Sequence, residues 1–263
     1  MSADGLQEKD PRALEERAHA FFRENKLEEA HKLFKEAAYL YKGAGNHGQA
    51  SLCFASGASC WGIKSGEKTC YEAAALYEEA AKEAMKVHDH EYASILYKHA
   101  AVNYERDMEF LSFSNCFYNS KESYRKALFY SLIGTKKMHH IEPDEKGGVK
   151  NVLGRFFSWL ALTVSCFVWG YGERPVRTFL ATIFIIFGAA ILYSQGQLLR
   201  GGVLFRPDWF HALYFSVITA TTVGYGDIAP AGACKVVAMC EAFSGLIVMQ
   251  LFLVGLARKY LRV

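Results

Sequence analysis

The run Thr221-Thr222-Val223-Gly224-Tyr225-Gly226-Asp227 constrains this chain more tightly than any other stretch of it. Gly224 and Gly226 stand one residue apart, where the backbone can take up angles that a Cβ resists. With such angles, successive carbonyls of the segment can all turn the same way. A row of carbonyl oxygens at fixed spacing can replace the water shell of a cation. The Thr222 hydroxyl would add one more oxygen at the inner end of the row. A glycine-rich turn is the competing reading, and the flanking sequence decides between the two.

Val176 to Tyr193 is a predominantly apolar stretch long enough to cross a bilayer as a helix, and Val236 to Ala257 is another, with Glu241 as its single charge. Between them, residues 208–220 lead straight into the run. Asp208, with Pro207 ahead of it, is placed to cap a short apolar helix. The negative C-terminal end of that helix would aim at a cation in the run. Thr222 to Gly226 resemble the potassium-channel signature T-V-G-Y-G at every position. A five-residue match in a chain of this length has a chance probability of about 10⁻⁴ at average residue usage. The resemblance covers roughly Gly172 to Arg262. It implies an outer helix over 176–194, a pore helix over 208–220, a selectivity filter over 222–226 and an inner helix over 236–257. It also implies potassium held by Thr222, Val223, Gly224 and Tyr225 with Gly226, and no other cofactor.

Departures from the family pattern bear on the filter's support. Ile218 stands where some potassium channels resembling this one carry a glutamate paired to the filter aspartate, so Asp227 needs another partner. Tyr214 can donate a hydrogen bond to it. Tyr214 and Phe215 occupy the positions that brace the filter tyrosine, here Tyr225, and Thr221 and Asp227 flank the filter. Gly245 matches the family's hinge glycine to within a one-residue gap, because the turret Ala229-Pro230-Ala231-Gly232-Ala233 is one residue short. A close helix contact is the other reading of Gly245. Glu241 costs too much to face lipid and is expected to point at protein or water. No segment carries arginine at every third position, so voltage sensing of the usual kind is not expected.

The first 150 or so residues hold most of the charges, and the net balance of +3 points to no partner. Lys136, Lys137, Lys146, Lys150, Arg155, Arg174 and Arg177 precede the first crossing, and Arg258, Lys259 and Arg262 follow the second. Two crossings put both flanks on one side, which the positive-inside rule makes cytoplasmic. Phe156 to Gly172 is uncharged but short for a crossing, and reads as an interfacial or tucked segment with Trp159 and Trp169 at headgroup depth. Its Gly170-Tyr171-Gly172 lacks the preceding Thr-Val and a pore helix and reads as no second ion path, and the Glu173-Arg174-Pro175 that follows reads as a loop. The start, Met1 to Glu8, is polar and shows no signal peptide. Seven cysteines without a C-x-x-C pair read as reduced thiols, with a redox sensor as the alternative. His88 with His90, or His139 and His140 beside Glu142, Asp144 and Glu145, show no tetrahedral ligand spacing. No nucleophile, acid–base pair or phosphate loop stands out, and no pattern suggests nucleic acid.

The N-terminal half repeats itself. Leu33-Phe34-Lys35-Glu36-Ala37-Ala38 recurs 43 residues on as Leu76-Tyr77-Glu78-Glu79-Ala80-Ala81, and His47 to Leu52 recurs at the same offset as His90 to Ile95. Ala30, Ala50, Ala73 and Ala93 let antiparallel helices approach, and Gly43, Gly45 and Gly66 mark turns. This resembles tetratricopeptide-type repeats, more specifically those of soluble NSF attachment proteins, over about residues 10–135. Such repeats present a surface to a peptide or protein partner and do no chemistry.

The expected fold class is therefore all-α, a membrane two-helix and pore-helix module with a helical-repeat domain. Its parts are repeats over 1–135, a polar linker over 136–155, the apolar segment over 156–175 and the pore over 176–263. The expected function is a homotetrameric potassium channel of the plasma or another cell membrane, lipid-embedded, with the repeats and the C-terminus cytoplasmic. Any cytoplasmic signal would act through residues 136–175 and the outer helix. A poorly selective cation pore, or a membrane-anchored adaptor with a vestigial pore, are the alternatives.

Overall fold

A computed structural model describes residues 10–63, 69–134 and 149–260. Gly66, Lys136, Lys137, His139, His140, Glu142, Asp144, Glu145, Lys146, Arg262 and the polar start lie outside the described residues. The chain divides into two compact units, Met1–Leu162 and Thr163–Val263.

The described residues of the first unit ahead of position 149 form α1 (Pro11–Arg23), α2 (Leu27–Gly43), α3 (His47–Ile63), α4 (Thr69–Lys86), α5 (His90–Arg106) and α6 (Phe110–Leu132). Asp10 starts α1 by accepting from the Arg12 N–H, and Pro11 sits in the first turn, where no N–H is needed. The turns between helices share one design. After α2, Asn46 N–H returns to Tyr41 O and Gly45 N–H to Lys42 O. After α4, Asp89 N–H returns to Ala84 O and His88 N–H to Met85 O. This paired closure needs one left-handed residue. Gly45 supplies it in one turn, whereas Asn25, His88 and Met108 take positive φ elsewhere despite a Cβ.

Each helix packs chiefly on its neighbours in sequence, as a helical solenoid does. The 43-residue offset has a structural counterpart: His47 opens α3 and His90 opens α5. Ala30, Ala50, Ala73 and Ala93 are fully buried. Phe34 and Phe54, also buried, each contribute roughly 1.5–3 kcal/mol by leaving water. One carboxylate is sealed between helices. Glu83 is met by His47 at 2.7 Å, Lys86 at 2.9 Å and Lys42 at 3.2 Å.

Helix α7 (Val149–Trp169) begins earlier than the uncharged stretch suggests, because a helix can run through Gly154 and Arg155. The Val152–Gly172 stretch is thereby long and apolar enough to cross a membrane, as are α8 (Pro175–Gln195) and α10 (Cys234–Tyr260). Within the first unit, however, Arg155 donates to Ser131 Oγ at 3.2 Å, and Trp159 and Leu162 pack on Ala127 and Leu128 of α6.

In the second unit, Gly170–Gly172 is a buried 3₁₀ turn, with Tyr171 at φ 60°. It leads into α8, whose Arg177 donates back to the Cys166 carbonyl at 2.9 Å. Strands β1 (Leu198–Arg200), β2 (Val203–Phe205) and β3 (Ile228–Pro230) make an antiparallel sheet in the order β2-β1-β3, an element that the all-α reading lacked. Its strands have three residues each, too few for a period to register. Helix α9 (Trp209–Ala220) packs on α8 and α10, and Asp208 caps it by accepting from the His211 N–H at 2.8 Å.

Candidate functional site

The stretch after α9 departs from both helix and strand. Thr222, Gly224 and Gly226 have φ of 59°, 51° and 80°, while Val223 and Tyr225 between them do not. Alternating left- and right-handed residues turn successive N–H groups to one side of the chain. The hydrogen bonds follow that rule. Thr222 N–H donates to Thr219 O at 3.0 Å, and Val223 and Gly224 N–H both donate to Ile218 O, at 3.0 and 3.2 Å. In a trans peptide the carbonyl points opposite its N–H. The carbonyls of Thr221, Thr222 and Val223 therefore face away from α9, side by side. Thr222 carries a Cβ in this conformation, at a cost of about 1–2 kcal/mol. Reasoning from glycines alone overlooked it.

The remaining predicted residues are placed as follows. The Tyr214 hydroxyl donates to Asp227 Oδ2 at 3.0 Å. The Thr221 hydroxyl returns to Val217 O at 2.7 Å. Phe215 turns instead into the core, edge-on to Tyr193 with ring centres 4.8 Å apart. Val223 and Tyr225 are 53% and 72% exposed in the single chain. A cleft of about 600 Å³ opens between α9 and α10, lined by Ile218, Thr219, Thr222, Ala238 and Met239 among others. Gly245 lies against the end of α9. A methyl there would collide with the Ala220 carbonyl oxygen and stand 3.0 Å from its carbon. Helix α10 runs unbroken through this point.

Glu241 points at protein. It is 3% exposed, accepts from the buried Tyr193 hydroxyl at 2.6 Å and is hydrogen-bonded to Ser216 Oγ. The lone carboxyl in an apolar helix was visible in the sequence; its partners, 48 and 25 residues away, were not.

Residues 179–262 match the ion-channel family model. This part of the chain is similar to ion-channel domains. Over 86 residues the chain is 54% identical to the two pore potassium channel b of Oryza sativa subsp. japonica, an alignment covering 31% of this chain and 24% of that relative. The chain thus spans only about a quarter of that relative's length. Residues 2–128 match the soluble NSF attachment protein family, SNAP. No solved structure matches the chain. The match to ion-channel domains, together with apolar helices of spanning length, makes this an integral membrane protein.

Elsewhere, no group of three or more His, Cys, Asp or Glu is set to hold a metal among the described residues. His88 and His90 meet edge-on, and His90 stacks on Tyr130. Burial pushes the Cys53 and Cys116 thiols up to about 12 and Cys60 to about 11, which suppresses the thiolate a redox sensor needs.

Proposed function

We propose that the chain is a potassium-selective channel, with Thr222 to Gly226 as its filter, working as a homotetramer. The observation that carries this reading is the convergence of three successive N–H groups on the C-terminus of α9, which leaves a row of carbonyls facing the other way. Continued through Gly224 and Tyr225, such a row would replace the hydration shell of potassium, with the oxygens of Thr222, Val223, Gly224 and Tyr225 as ligands. One chain supplies one side of the cage, and cyclic symmetry closes it. Val223, Tyr225 and the cleft beside α9 are the surfaces that neighbouring copies would cover. Thr221 and the Tyr214–Asp227 pair would brace the two ends of the filter.

The proposed orientation keeps the solenoid and the end of α10 cytoplasmic, in a cell-surface membrane. Arg155, Trp159 and Leu162 hold the first half of α7 against α6, and too little helix remains beyond them for a crossing of about 20 residues. Helices α8 and α10 then cross, with Arg174, Arg177, Arg258 and Lys259 on the positive side. The same residues suggest how a protein or peptide bound to the solenoid would reach the gate. The Arg258 guanidinium lies against Gly172, and Gly255 approaches Pro175, so the turn that follows α7 in the chain touches the ends of both crossing helices.

The test is flux through the purified full-length protein in liposomes. Potassium is expected to pass far faster than sodium, barium to block, and crosslinking to stop at tetramers. Gly224→Ala is expected to abolish conduction and spare assembly. A methyl at Gly224 meets no atom of its own chain within 4 Å, so within the chain it is the φ of 51° that opposes it. Equal sodium and potassium permeability in the parent would replace this reading with a poorly selective cation pore, and no flux at all with a membrane-anchored adaptor. Crosslinking that ends at dimers would remove the tetramer. External protease that trims the solenoid in intact cells would reverse the orientation.

A further inference from the structure

Helix α9 is gripped from behind. Helical spacing puts Tyr214 and the neighbourhood of Ile218 on one side of it, and Ser216, two residues from each, on the opposite side. On the first side Tyr214 holds Asp227, and at the helix end the Ile218 carbonyl holds two N–H groups of the 222–226 run. On the second side Ser216, wholly buried, meets Glu241 of α10 and the Ile186 carbonyl of α8, the latter at 2.8 Å. Tyr193 of α8, also wholly buried, donates to the other oxygen of Glu241. One carboxyl therefore ties three helices together. One turn further along, Gly245 meets Ala220, so the α10 stripe Glu241–Gly245 follows the α9 stripe Ser216–Ala220 in register. A carboxyl in the apolar middle of a spanning helix is costly, and its place in a three-helix hydrogen-bond network gives it a use.

We propose that Glu241 is a positioning residue for ion selection: through Ser216 and Tyr193 it fixes the back of α9 and thereby the carbonyl from which the filter hangs. This rests on the filter reading above. The pair that some relatives build between the pore helix and the filter aspartate is absent here, since its pore-helix position is Ile218. The carboxyl that steadies the pore helix comes instead from the inner helix and from the far side. Ser216 has one proton and two acceptors, Ile186 O and Glu241. A glutamine at 241 would still accept from Tyr193 and would add an N–H donor toward Ser216, freeing the serine proton for Ile186.

The test uses the full-length protein in liposomes, with assembly checked by crosslinking before potassium and sodium fluxes are compared. Glu241→Gln is expected to keep the parent's flux ratio within about twofold, the scatter of a change that removes no interaction. Glu241→Leu, which keeps a side chain of similar length and removes both hydrogen bonds, is expected to lower the ratio by about tenfold or more in protein that still assembles. Ser216→Ala carries the test if Glu241→Leu fails to assemble, because it deletes one oxygen and spares the Tyr193 bond; the same direction of change is expected. A merely structural carboxyl would alter the assembled yield and leave the ratio of the assembled fraction alone. An assembled Glu241→Leu or Ser216→Ala protein with the parent's ratio overturns the proposal, as does a Glu241→Gln protein that falls as far as Glu241→Leu. A parent that fails to discriminate brings down the filter reading together with this one. A selective parent with indifferent variants removes only the role of Glu241.

Discussion

Glu83 shows what a single buried charge asks of a sequence. Burial pushes its pKa up, but hydrogen bonds from Lys86, His47 and Lys42 outweigh that and hold it below the ordinary 4.5. A carboxylate whose folded pKa is depressed contributes stability that is present above the unfolded pKa and lost as pH falls through the folded one. Glu83→Gln is therefore expected to loosen α4 near neutral pH. The partner lysines are partly exposed and screened, which limits the loss to about 1–2 kcal/mol. The gap between parent and variant is expected to close in acid, once the parent's carboxylate is protonated too. Amide exchange over Thr69–Lys86 in the full chain measures this, and a gap that persists unchanged in acid would contradict it. The three residues around Glu83 come from α2, α3 and α4. Neither repeat nor composition announces that they meet.

At the scale of the element, Gly245 separates two readings of α10. Alanine is favoured over glycine in a helix by about 1 kcal/mol, so a free hinge position should gain stability from Gly245→Ala. The structure sets Gly245 against the Ala220 backbone, where a methyl has no room. Gly245→Ala is therefore expected to lower the thermal stability of the assembled protein and to disturb selectivity through the end of α9. Higher stability, with only the open probability reduced, would restore the hinge. Thermal unfolding in detergent, alongside single-channel records, distinguishes these outcomes. Glycine in a helical sequence signals either a bend or a close approach, and the sequence is the same in both cases.

Across the whole molecule, the proposed function assigns selection and control to different parts. The proposed filter follows α9, whereas the solenoid precedes it in the chain through α7 and the buried 170–172 turn. Deleting residues 1–135 would strip the cover from Trp159 and Leu162, so Trp159→Ala in the full chain is the cleaner perturbation. It is expected to change open probability and to leave the potassium-to-sodium ratio untouched. A tenfold shift in a two-state gate takes only about 1.4 kcal/mol, well within what one tryptophan's packing supplies. Identical open probability under all conditions would reduce the solenoid to assembly or localisation. A changed ratio would contradict the separation of filter and control.

Much was legible in the sequence by itself: the helical class, the 43-residue recurrence, the apolar stretches behind α8 and α10, and the Asp208 cap ahead of α9. These are properties of short segments, in which hydropathy, periodicity and capping chemistry act over a few neighbouring residues. The early start of α7 was missed because a charge at Arg155 ends an apolar stretch without ending a helix. The left-handed Thr222 was missed because its conformation is imposed by hydrogen bonds to Thr219 and Ile218, not permitted by its own side chain. The destination of Glu241, the inward turn of Phe215 and the contact at Gly245 were decided only by tertiary structure. Each depends on how α8, α9 and α10 dock, bringing together residues tens of positions apart. No local pattern in a chain encodes that register.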